Sequence, residues 1–237
     1  MAATLLYAHP DSNAELVEYD MSEHASVISD AVESVRGSLD VRPTLPGMFG
    51  KEARMNRNHG FFCEPGVSHG YFFSRQLAAA KPITDVMASI LDIVNSKFGK
   101  VYNGVLVNEY MDGEDYISDH RDNEVGLTSG QDVIAISWGA SRTLRIKVWD
   151  DVNNAPRTKR EGGWVCDAKT KSCTALQMKG SDFQRVLSHG VPKQKNAGRR
   201  VSLTFRKHDK LKEKIILEQR KRQQQKSRTL SKLIGKH

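Results

Sequence analysis

Strict alternation of apolar and polar side chains marks one stretch of the sequence, Arg-Val-Ser-Leu-Thr-Phe-Arg at residues 200–206. Successive side chains of a β-strand point to opposite faces, so the three apolar residues would face a core and the two arginines and two hydroxyls would share the other face. In most proteins such a polar face is simply solvated. It would also suit a dicarboxylate, because arginine offers paired donors on a permanent charge.

Short β-rich runs separated by polar or glycine-containing turns precede this stretch. They occupy residues 101–110, 133–138, 143–149 and 174–178. Short strands in series, preceded by helices, are typical of a β-sandwich or jelly roll buttressed by helices. The sequence therefore predicts an α+β fold with a double-stranded β-helix (jelly roll) core, supporting N-terminal helices and a basic C-terminal tail.

Two helices are predicted before the strands. Apolar residues at helical spacing predict a helix over 22–37, begun by Ser22 as its cap and ended by Gly37. A longer apolar stripe predicts a second helix over 82–99, with Pro82 in the first turn, where its missing N–H costs nothing. Both stripes indicate core packing.

Charge is distributed unevenly along the chain. The net charge is +8, yet residues 1–45 hold two Lys and Arg against eight Asp and Glu, and residues 206–237 hold twelve against three. Such asymmetry favours a polyanionic partner, most often nucleic acid. Better solubility or nuclear import are the alternative roles of a basic tail.

Composition excludes several other classes of protein. With 38% apolar residues the chain as a whole is not disordered, and its apolar runs are too short for a membrane helix of about 20 residues. The first ten residues lack the basic and apolar regions of a signal peptide. The three cysteines form no C-x-x-C pair, which favours a reducing, intracellular compartment.

Two histidines and an aspartate are candidate metal ligands. Residues 120–122, His-Arg-Asp, would place an imidazole and a carboxylate on one face of a strand. A surface histidine beside an ion-paired aspartate is the alternative, since this spacing is frequent by chance. His189, in Ser-His-Gly-Val-Pro at 188–192, offers a second imidazole, unless it is only a loop histidine before a proline. Together the three would form the facial triad of non-haem iron oxygenases.

A further pair of polar residues lies upstream of His120. Leu106, Asn108 and Tyr110 would share one strand face by the same alternation. The asparagine and the tyrosine could bind a carboxylate there, or they could simply end the strand and half-bury an aromatic ring.

Five stretches, in order and correctly spaced, together resemble the AlkB family of Fe(II)- and 2-oxoglutarate-dependent dioxygenases, which demethylate nucleic-acid bases. These are NEYMDG at 108–113, HRDNE at 120–124, SWGASR at 137–142, HGVP at 189–192 and RVSLTFR at 200–206. The resemblance covers about 46–207 and is greatest to the eukaryotic-type DNA and RNA repair branch, because of the N-x-Y-x-D-G and H-R-D-x-E forms.

The resemblance implies a ligand set for iron and for its co-substrate. His120, Asp122 and His189 match the iron ligands, and Arg200 and Arg206 match the arginines that pair with the carboxylates of 2-oxoglutarate. The other implied co-substrate contacts are Asn108, Tyr110, Thr204 and Ser202, of which the last stands where the family often has asparagine.

The resemblance also implies a base pocket. Tyr-Phe-Phe-Ser at 71–74 is similar to the family's Y-x-F-S element, which would place Tyr71 in the pocket and stack Phe73 on the damaged base opposite His120. Glu124 matches an acidic residue of this pocket.

Nucleic-acid contacts outside the pocket are expected in the first half of the dioxygenase region. Phe-Gly-Lys at 49–51 resembles the finger loop that probes the base stack. Glu109 departs from the basic or neutral residues that are common at its position, which would weaken contact with the phosphate backbone. The expected contact residues are Phe49, Lys51, Arg54, Arg57 and Arg75.

The implied reaction consumes 2-oxoglutarate and dioxygen at Fe(II) and yields succinate, carbon dioxide and formaldehyde. Bases such as 1-methyladenine and 3-methylcytosine, in DNA and/or RNA, are the expected substrates. We expect a nuclear or cytoplasmic monomer with no membrane segment. Its expected parts are an acidic N-terminal segment with a helix over 1–45, an AlkB-like dioxygenase domain over 46–208 and a basic tail over 209–237.

Two alternative functions stay open at this point. A 2-oxoglutarate oxygenase that acts on protein or another non-nucleic-acid substrate would need the same iron motif, and only Glu124, Phe73 and the basic segments argue against it. A non-catalytic nucleic-acid-binding module could keep the jelly roll, but it would have no reason to keep the full set of candidate ligands and arginines.

Overall fold

The chain forms sixteen strands and three α-helices among the residues that this computed structural model describes. These are 2–45, 53–73, 76–123, 126–128, 130–212, 214 and 218, with the backbone alone at 45, 53, 72, 73 and 76. The strands are β1 (Ala3–Ala8), β2 (Glu15–Asp20), β3 (Thr44–Leu45), β4 (Ala53–Arg54), β5 (Asn58–Cys63), β6 (Gly70–Phe73), β7 (Gln76–Pro82), β8 (Gly104–Tyr110), β9 (Ile117–His120), β10 (Val133–Gly139), β11 (Arg142–Asp150), β12 (Ala155–Pro156), β13 (Trp164–Thr170), β14 (Thr174–Lys179), β15 (Leu187–Val191) and β16 (Arg200–Arg206). The helices are α1 (Ala25–Val35), α2 (Asp85–Phe98) and α3 (Phe183–Val186).

Two curled sheets make up the body of the fold. The larger has nine strands in the order β1-β2-β14-β10-β16-β8-β5-β7-β6, and the smaller has the order β12-β11-β15-β9 with β13 also paired to β11. Neighbouring strands are antiparallel, with the exception of the parallel pair β5–β7. This arrangement confirms the predicted α+β fold with a jelly-roll core.

The apolar face of β16 packs on the helices, as its alternation predicts. Val201, Leu203 and Phe205 belong to one buried cluster with the apolar stripes of α1 and α2 and the outward faces of β8 and β10. The polar face of β16 is therefore turned inward, towards the smaller sheet. A second buried cluster, which includes Ile146 and Leu187, fills the rest of the space between the sheets.

The N-terminal strands β1 and β2 were not predicted, although they extend the larger sheet. β2 pairs antiparallel with β14, and β1 covers β2 as an edge strand. The outer strand is largely exposed, so its sequence lacks the alternation that marks a half-buried strand. The proposed boundary at residue 45 stays a prediction.

The first helix is shorter than predicted, and its predicted caps are wrong. Ser22 lies in a 3₁₀ turn, where its backbone N–H donates to the Asp20 carboxylate at 2.8 Å, and no side chain caps α1. Gly37 lies in a second 3₁₀ turn beyond the helix end. The apolar stripe itself is buried as predicted, because tertiary packing rather than capping stabilises this helix.

The second helix begins three residues later than predicted. Pro82 ends β7, opposite Cys63 of β5, and Thr84 is the N-cap, its side-chain oxygen accepting from the Met87 N–H at 3.2 Å. Gly99 ends the helix in the left-handed conformation with φ of 58°, which glycine adopts without strain. Among the described residues, no helix is long and apolar enough to cross a membrane.

Stability is expected to fall with acid because of a buried histidine on β5. Burial lowers the pKa of His59 from 6.5 to about 4, against a smaller opposing effect of Asp40. Between these two values the unfolded chain binds a proton that the folded chain does not, so unfolding is favoured as the pH falls from 6.5 towards 4. The full contribution is about 3 kcal/mol. The free energy of unfolding, measured in urea, should change less between pH 7.5 and pH 5 in His59→Gln than in the wild type. An equal change in both proteins would contradict the lowered pKa of His59.

Candidate metal and co-substrate site

Strand register brings the three candidate ligands together. His189, in β15, lies directly opposite His120, the last residue of β9, and their ring centroids are 4.3 Å apart. One ligand atom from each of His120, Asp122 and His189 lies within 4.8 Å of the others. The residues are thus brought together although 69 positions separate the two histidines.

One local expectation about these ligands is wrong, and one alternative to them is excluded. Asp122 is not on the strand, because β9 ends at His120 and the chain then bends, with the Asp122 backbone N–H held by the Gln184 side chain at 2.7 Å. His189 is not in a loop, since β15 runs from Leu187 to Val191. The imidazole and the carboxylate therefore approach each other through the bend rather than through strand alternation.

The polar atoms at the centre of the cluster suit a divalent cation. The Asp122 side chain is fully buried, and its oxygens lie 3.6 Å and 3.7 Å from Nε2 of His120 and His189. Oδ1 is held by the Arg206 guanidinium, and Oδ2 accepts no hydrogen bond. The His120 Nδ1–H donates to the Ser118 carbonyl at 2.9 Å, which leaves Nε2 as the free nitrogen. One carboxylate and two imidazoles fit the facial triad of a non-haem iron site.

The protonation states also suit a metal. Burial lowers the pKa of His189 to about 3, with the neighbouring His120 as a further cause. Burial likewise lowers the pKa of His120. For Asp122 burial would raise the pKa, but Arg206, whose Nη2 lies 2.6 Å from Oδ1, keeps it below its ordinary value. Neutral imidazoles and an ionised carboxylate are the forms that bind metal ions.

Inward-facing residues of three adjacent strands form the floor of a pocket that also contacts His120 and His189. Residues that pair with one another across β8, β16 and β10 form three rows. The rows are Tyr110–Arg200–Gly139, Asn108–Ser202–Ser137 and Leu106–Thr204–Ala135. The predicted polar face of β16 is therefore buried rather than solvated, because the smaller sheet covers it.

Arg200 has unused hydrogen-bonding capacity in this pocket. Its Nη2 donates to the Ser137 hydroxyl at 2.8 Å, while Nε and Nη1 are buried without an acceptor. Burial without a carboxylate partner lowers the pKa of its guanidinium. A buried guanidinium with free donors is a fitting site for a carboxylate. Sequence reasoning gave Ser137 no role, although its place in the SWGASR motif was a usable signal.

Two residues predicted to contact the substrate, Arg57 and Tyr71, bind side chains that line this pocket. Arg57 donates from Nε to the Asn108 side-chain oxygen at 2.7 Å, so it is held beside a floor residue. The buried Tyr71 accepts a hydrogen bond from the Arg206 guanidinium. By contrast, Arg54 is exposed on the short strand β4.

Several predicted substrate contacts lie outside the described residues. These are Phe49, Lys51, Arg75 and Glu124. For Phe73 only the backbone is described, at the end of β6. Their roles stay predictions.

Glu109, which was expected to weaken contact with the phosphate backbone, is buried and ion-paired within the protein. Its side chain is buried on the opposite face of the larger sheet, where it accepts from Asn58 at 2.8 Å and from Arg199 at 2.7 Å. The alternation along β8 puts it there, because its neighbours Asn108 and Tyr110 point into the pocket.

Facing sheets, a His-Asp-His cluster and an arginine-lined polar floor define the class of jelly-roll oxygenases that bind a single iron ion. The sequence model of the 2OG-Fe(II) oxygenase superfamily matches residues 22–206, and the chain belongs to this superfamily. The family implies Fe(II) and 2-oxoglutarate, which the cluster and the pocket fit.

Named relatives confirm the resemblance to AlkB proteins. The DNA oxidative demethylase ALKBH2 of Mus musculus is 32% identical over 161 residues, which cover 68% of this chain and 65% of that protein. ALKBH2 of Homo sapiens is 30% identical over 162 residues, covering 68% and 59%. The alpha-ketoglutarate-dependent dioxygenase alkB homolog 3 of Rattus norvegicus is 29% identical over 142 residues, covering 57% and 46%.

The chain spans less than two thirds of the length of each of these relatives. Among solved structures, that of OsALKBH1 matches with a TM-score of 0.54 at 17% identity, covering 86% of this chain and 100% of that one. At this identity the match shows the fold alone.

Proposed function

We propose that this chain oxidatively demethylates N-alkylated bases in DNA or RNA, with Fe(II), 2-oxoglutarate and dioxygen. The observation that carries the proposal is the buried His120–Asp122–His189 cluster beside an arginine with free donors. The nucleic-acid substrate is supported by the names of the ALKBH2 relatives and by the basic tail.

The residues of the cluster would hold Fe(II) through two imidazole nitrogens and one carboxylate. When bound with 2-oxoglutarate and dioxygen, the iron supplies the oxidising power that hydroxylates the N-methyl group, which then leaves as formaldehyde. Arg206 keeps Asp122 ionised and oriented, because its guanidinium contacts Oδ1 at 2.6 Å. Tyr71 in turn holds Arg206 from the other side.

The floor residues would bind 2-oxoglutarate. Arg200 offers Nε and Nη1 to one carboxylate, while Ser137 fixes its guanidinium in place. The side chains that would supply further hydrogen bonds are Asn108, Tyr110, Ser202, Thr204 and Arg206, all of which line the pocket. Burial between the sheets excludes water from these contacts and strengthens them.

The substrate base would lie between His120 and Phe73, with Tyr71 and Glu124 beside it. A target base is hidden inside a duplex, so it must be flipped out or presented in a single strand. Bases such as 1-methyladenine and 3-methylcytosine pair poorly and carry positive charge, which a carboxylate and an aromatic ring both favour. Phe49 would probe the base stack. The residues that would meet the phosphate backbone are Lys51, Arg54, Arg57 and Arg75.

The proposal is tested by formaldehyde release from oligonucleotides that carry 1-methyladenine or 3-methylcytosine, as single- and double-stranded DNA and as RNA. The assay contains Fe(II), 2-oxoglutarate and ascorbate, and His189→Ala serves as the inactive control. We expect release that depends on His189. Succinate without formaldehyde would mean an oxygenase with another substrate, such as a protein, and neither product would favour a binding module.

Removal of residues 213–237, most of the basic tail, is expected to weaken nucleic-acid binding without affecting the oxidation chemistry. Residues 213–237 hold eight Lys and Arg against two Asp and Glu. Truncation after Lys212 keeps Asp209, whose N–H donates to the Gly126 carbonyl at 2.7 Å. The affinity for DNA should fall and its dependence on salt should become less steep, since fewer counterions are released. An unchanged salt slope in fluorescence anisotropy would mean that the tail does not contact phosphates.

A further inference from the structure

An ionic cluster around one buried carboxylate lies on the face of the larger sheet opposite the pocket. Glu109, in β8, is 3% exposed. Arg199 donates from Nε to its Oε1 at 2.7 Å, and Asn58 donates to its Oε2 at 2.8 Å. Both carboxylate oxygens are therefore satisfied, as a buried charge requires.

Arg199 connects three elements of the fold. Besides Glu109, its Nη1 donates to Glu33 of α1 at 2.8 Å, and its guanidinium lies 5.2 Å from the ring centroid of Trp138 in β10. Its own carbonyl accepts from the Ala140 N–H at 2.8 Å. Arg199 thus anchors the chain immediately before β16 begins.

The neighbours of this ion pair lie at the end of the pocket away from the candidate metal ligands. Arg200 is six positions along β16 from Arg206, whose guanidinium contacts Asp122. The carboxylate of bound 2-oxoglutarate that is farther from the metal, the distal one, would therefore meet Arg200.

Alternation places Arg200 on the inner face when Arg199 is on the outer face, and it does the same for Tyr110 beside Glu109. Arg200 lies directly opposite Tyr110 in the register of β16 and β8. The Glu109–Arg199 ion pair on the outer face therefore joins β8 to the start of β16. The Arg200 guanidinium, with its free donors, lies on the inner face of the same segments.

We propose that Glu109 and Arg199 are positioning residues for the co-substrate: their ion pair fixes the start of β16 against β8 and so aims Arg200 at the distal carboxylate of 2-oxoglutarate. The inference rests on the proposed function, because it takes Arg200 as the carboxylate-binding residue. Without Glu109, Arg199 would be held by Glu33, whose side chain is 44% exposed. A paired guanidinium–carboxylate contact depends strongly on geometry, so a small displacement of Arg200 weakens it.

The test compares two 2-oxo acids on the full-length protein loaded with Mn(II). Glu109→Gln removes the charge but keeps the shape and the bond to Asn58. In isothermal titration calorimetry the Kd for 2-oxoglutarate should rise about tenfold, the effect of weakening one charge-assisted hydrogen bond. The Kd for pyruvate should not change, because pyruvate has no distal carboxylate to reach Arg200.

Glu33→Gln is the matched control, since it removes the exposed carboxylate from the same guanidinium. We expect both Kd values to stay at the wild-type level in this variant. Arg199→Lys is the second variant, in case Glu109→Gln does not fold. Lysine keeps the positive charge but lacks the planar guanidinium that binds Glu109 and Glu33 at the same time. This variant should weaken 2-oxoglutarate binding and leave pyruvate binding unchanged.

Two outcomes would overturn the inference. One is a lower melting temperature in Glu109→Gln and Arg199→Lys with an unchanged Kd for 2-oxoglutarate, which would make the pair purely structural. The other is an equal loss of affinity for both acids, which would indicate general loosening of the pocket. Failure of the wild-type protein to bind 2-oxoglutarate would instead contradict the proposed function itself.

Discussion

The Asp122→Ala protein is expected to release no detectable formaldehyde from a methylated oligonucleotide. Asp122 supplies the carboxylate of the His-Asp-His cluster, and its loss leaves two neutral imidazoles that hold Fe(II) weakly. The loss of turnover should exceed about 100-fold, because removing groups that merely support metal ligands already costs about 10- to 100-fold. Formaldehyde release at saturating Fe(II), together with the stoichiometry of Mn(II) binding, measures the effect.

Asp119→Ala is the matched control for this variant. Asp119 lies three positions earlier in the chain and pairs with Lys147 at 2.6 Å, with both side chains about one-fifth exposed. It should keep near-wild-type turnover and metal binding. If Asp122→Ala stays folded by circular dichroism and still turns over at a rate comparable with Asp119→Ala, the ligand assignment is wrong.

The Arg142→Met protein is expected to lose a large part of its folding stability. The Arg142 side chain is fully buried and donates to the carbonyls of Asp112, Asp115 and Pro192 at 2.9, 2.7 and 2.9 Å. Methionine keeps much of the volume but donates nothing. A buried carbonyl left without a donor, such as that of Asp115, costs about 1–3 kcal/mol, and the part-buried carbonyls of Asp112 and Pro192 cost less each. A total of about 3–6 kcal/mol is a large fraction of the about 5–15 kcal/mol by which domains are stable.

Arg145→Met tests whether this effect comes from burial. Arg145 lies three residues further along β11, where it pairs with Asp167 at 2.9 Å and stacks on Trp164 near the surface. Its replacement should cost about 1 kcal/mol, as partly exposed ion pairs and cation–π contacts contribute little. Urea unfolding measures the free energy of unfolding of both variants. Equal losses of folding stability would contradict the role assigned to Arg142.

Helix boundaries show where local sequence patterns were insufficient. The apolar stripes of α1 and α2 could be predicted because helical periodicity depends only on the backbone. Their start points could not, since Ser22 bonds to Asp20 instead of capping α1, and Pro82 pairs with β5 as the last residue of a strand. Each of these residues had two compatible local conformations, and contacts with distant segments selected one of them.

The sequence by itself determined the two-faced pattern of β16 and the identity of the candidate ligands, because strand alternation has a period of two and iron sites need particular donor types. Tertiary structure alone decided that the polar face of β16 is buried, since only the second sheet can cover it. It also decided that Asp122 meets His189 through a bend, and that Glu109 pairs with Arg199 on the far side. Such contacts join residues tens of positions apart, and strand order and register, which no local pattern encodes, bring them together.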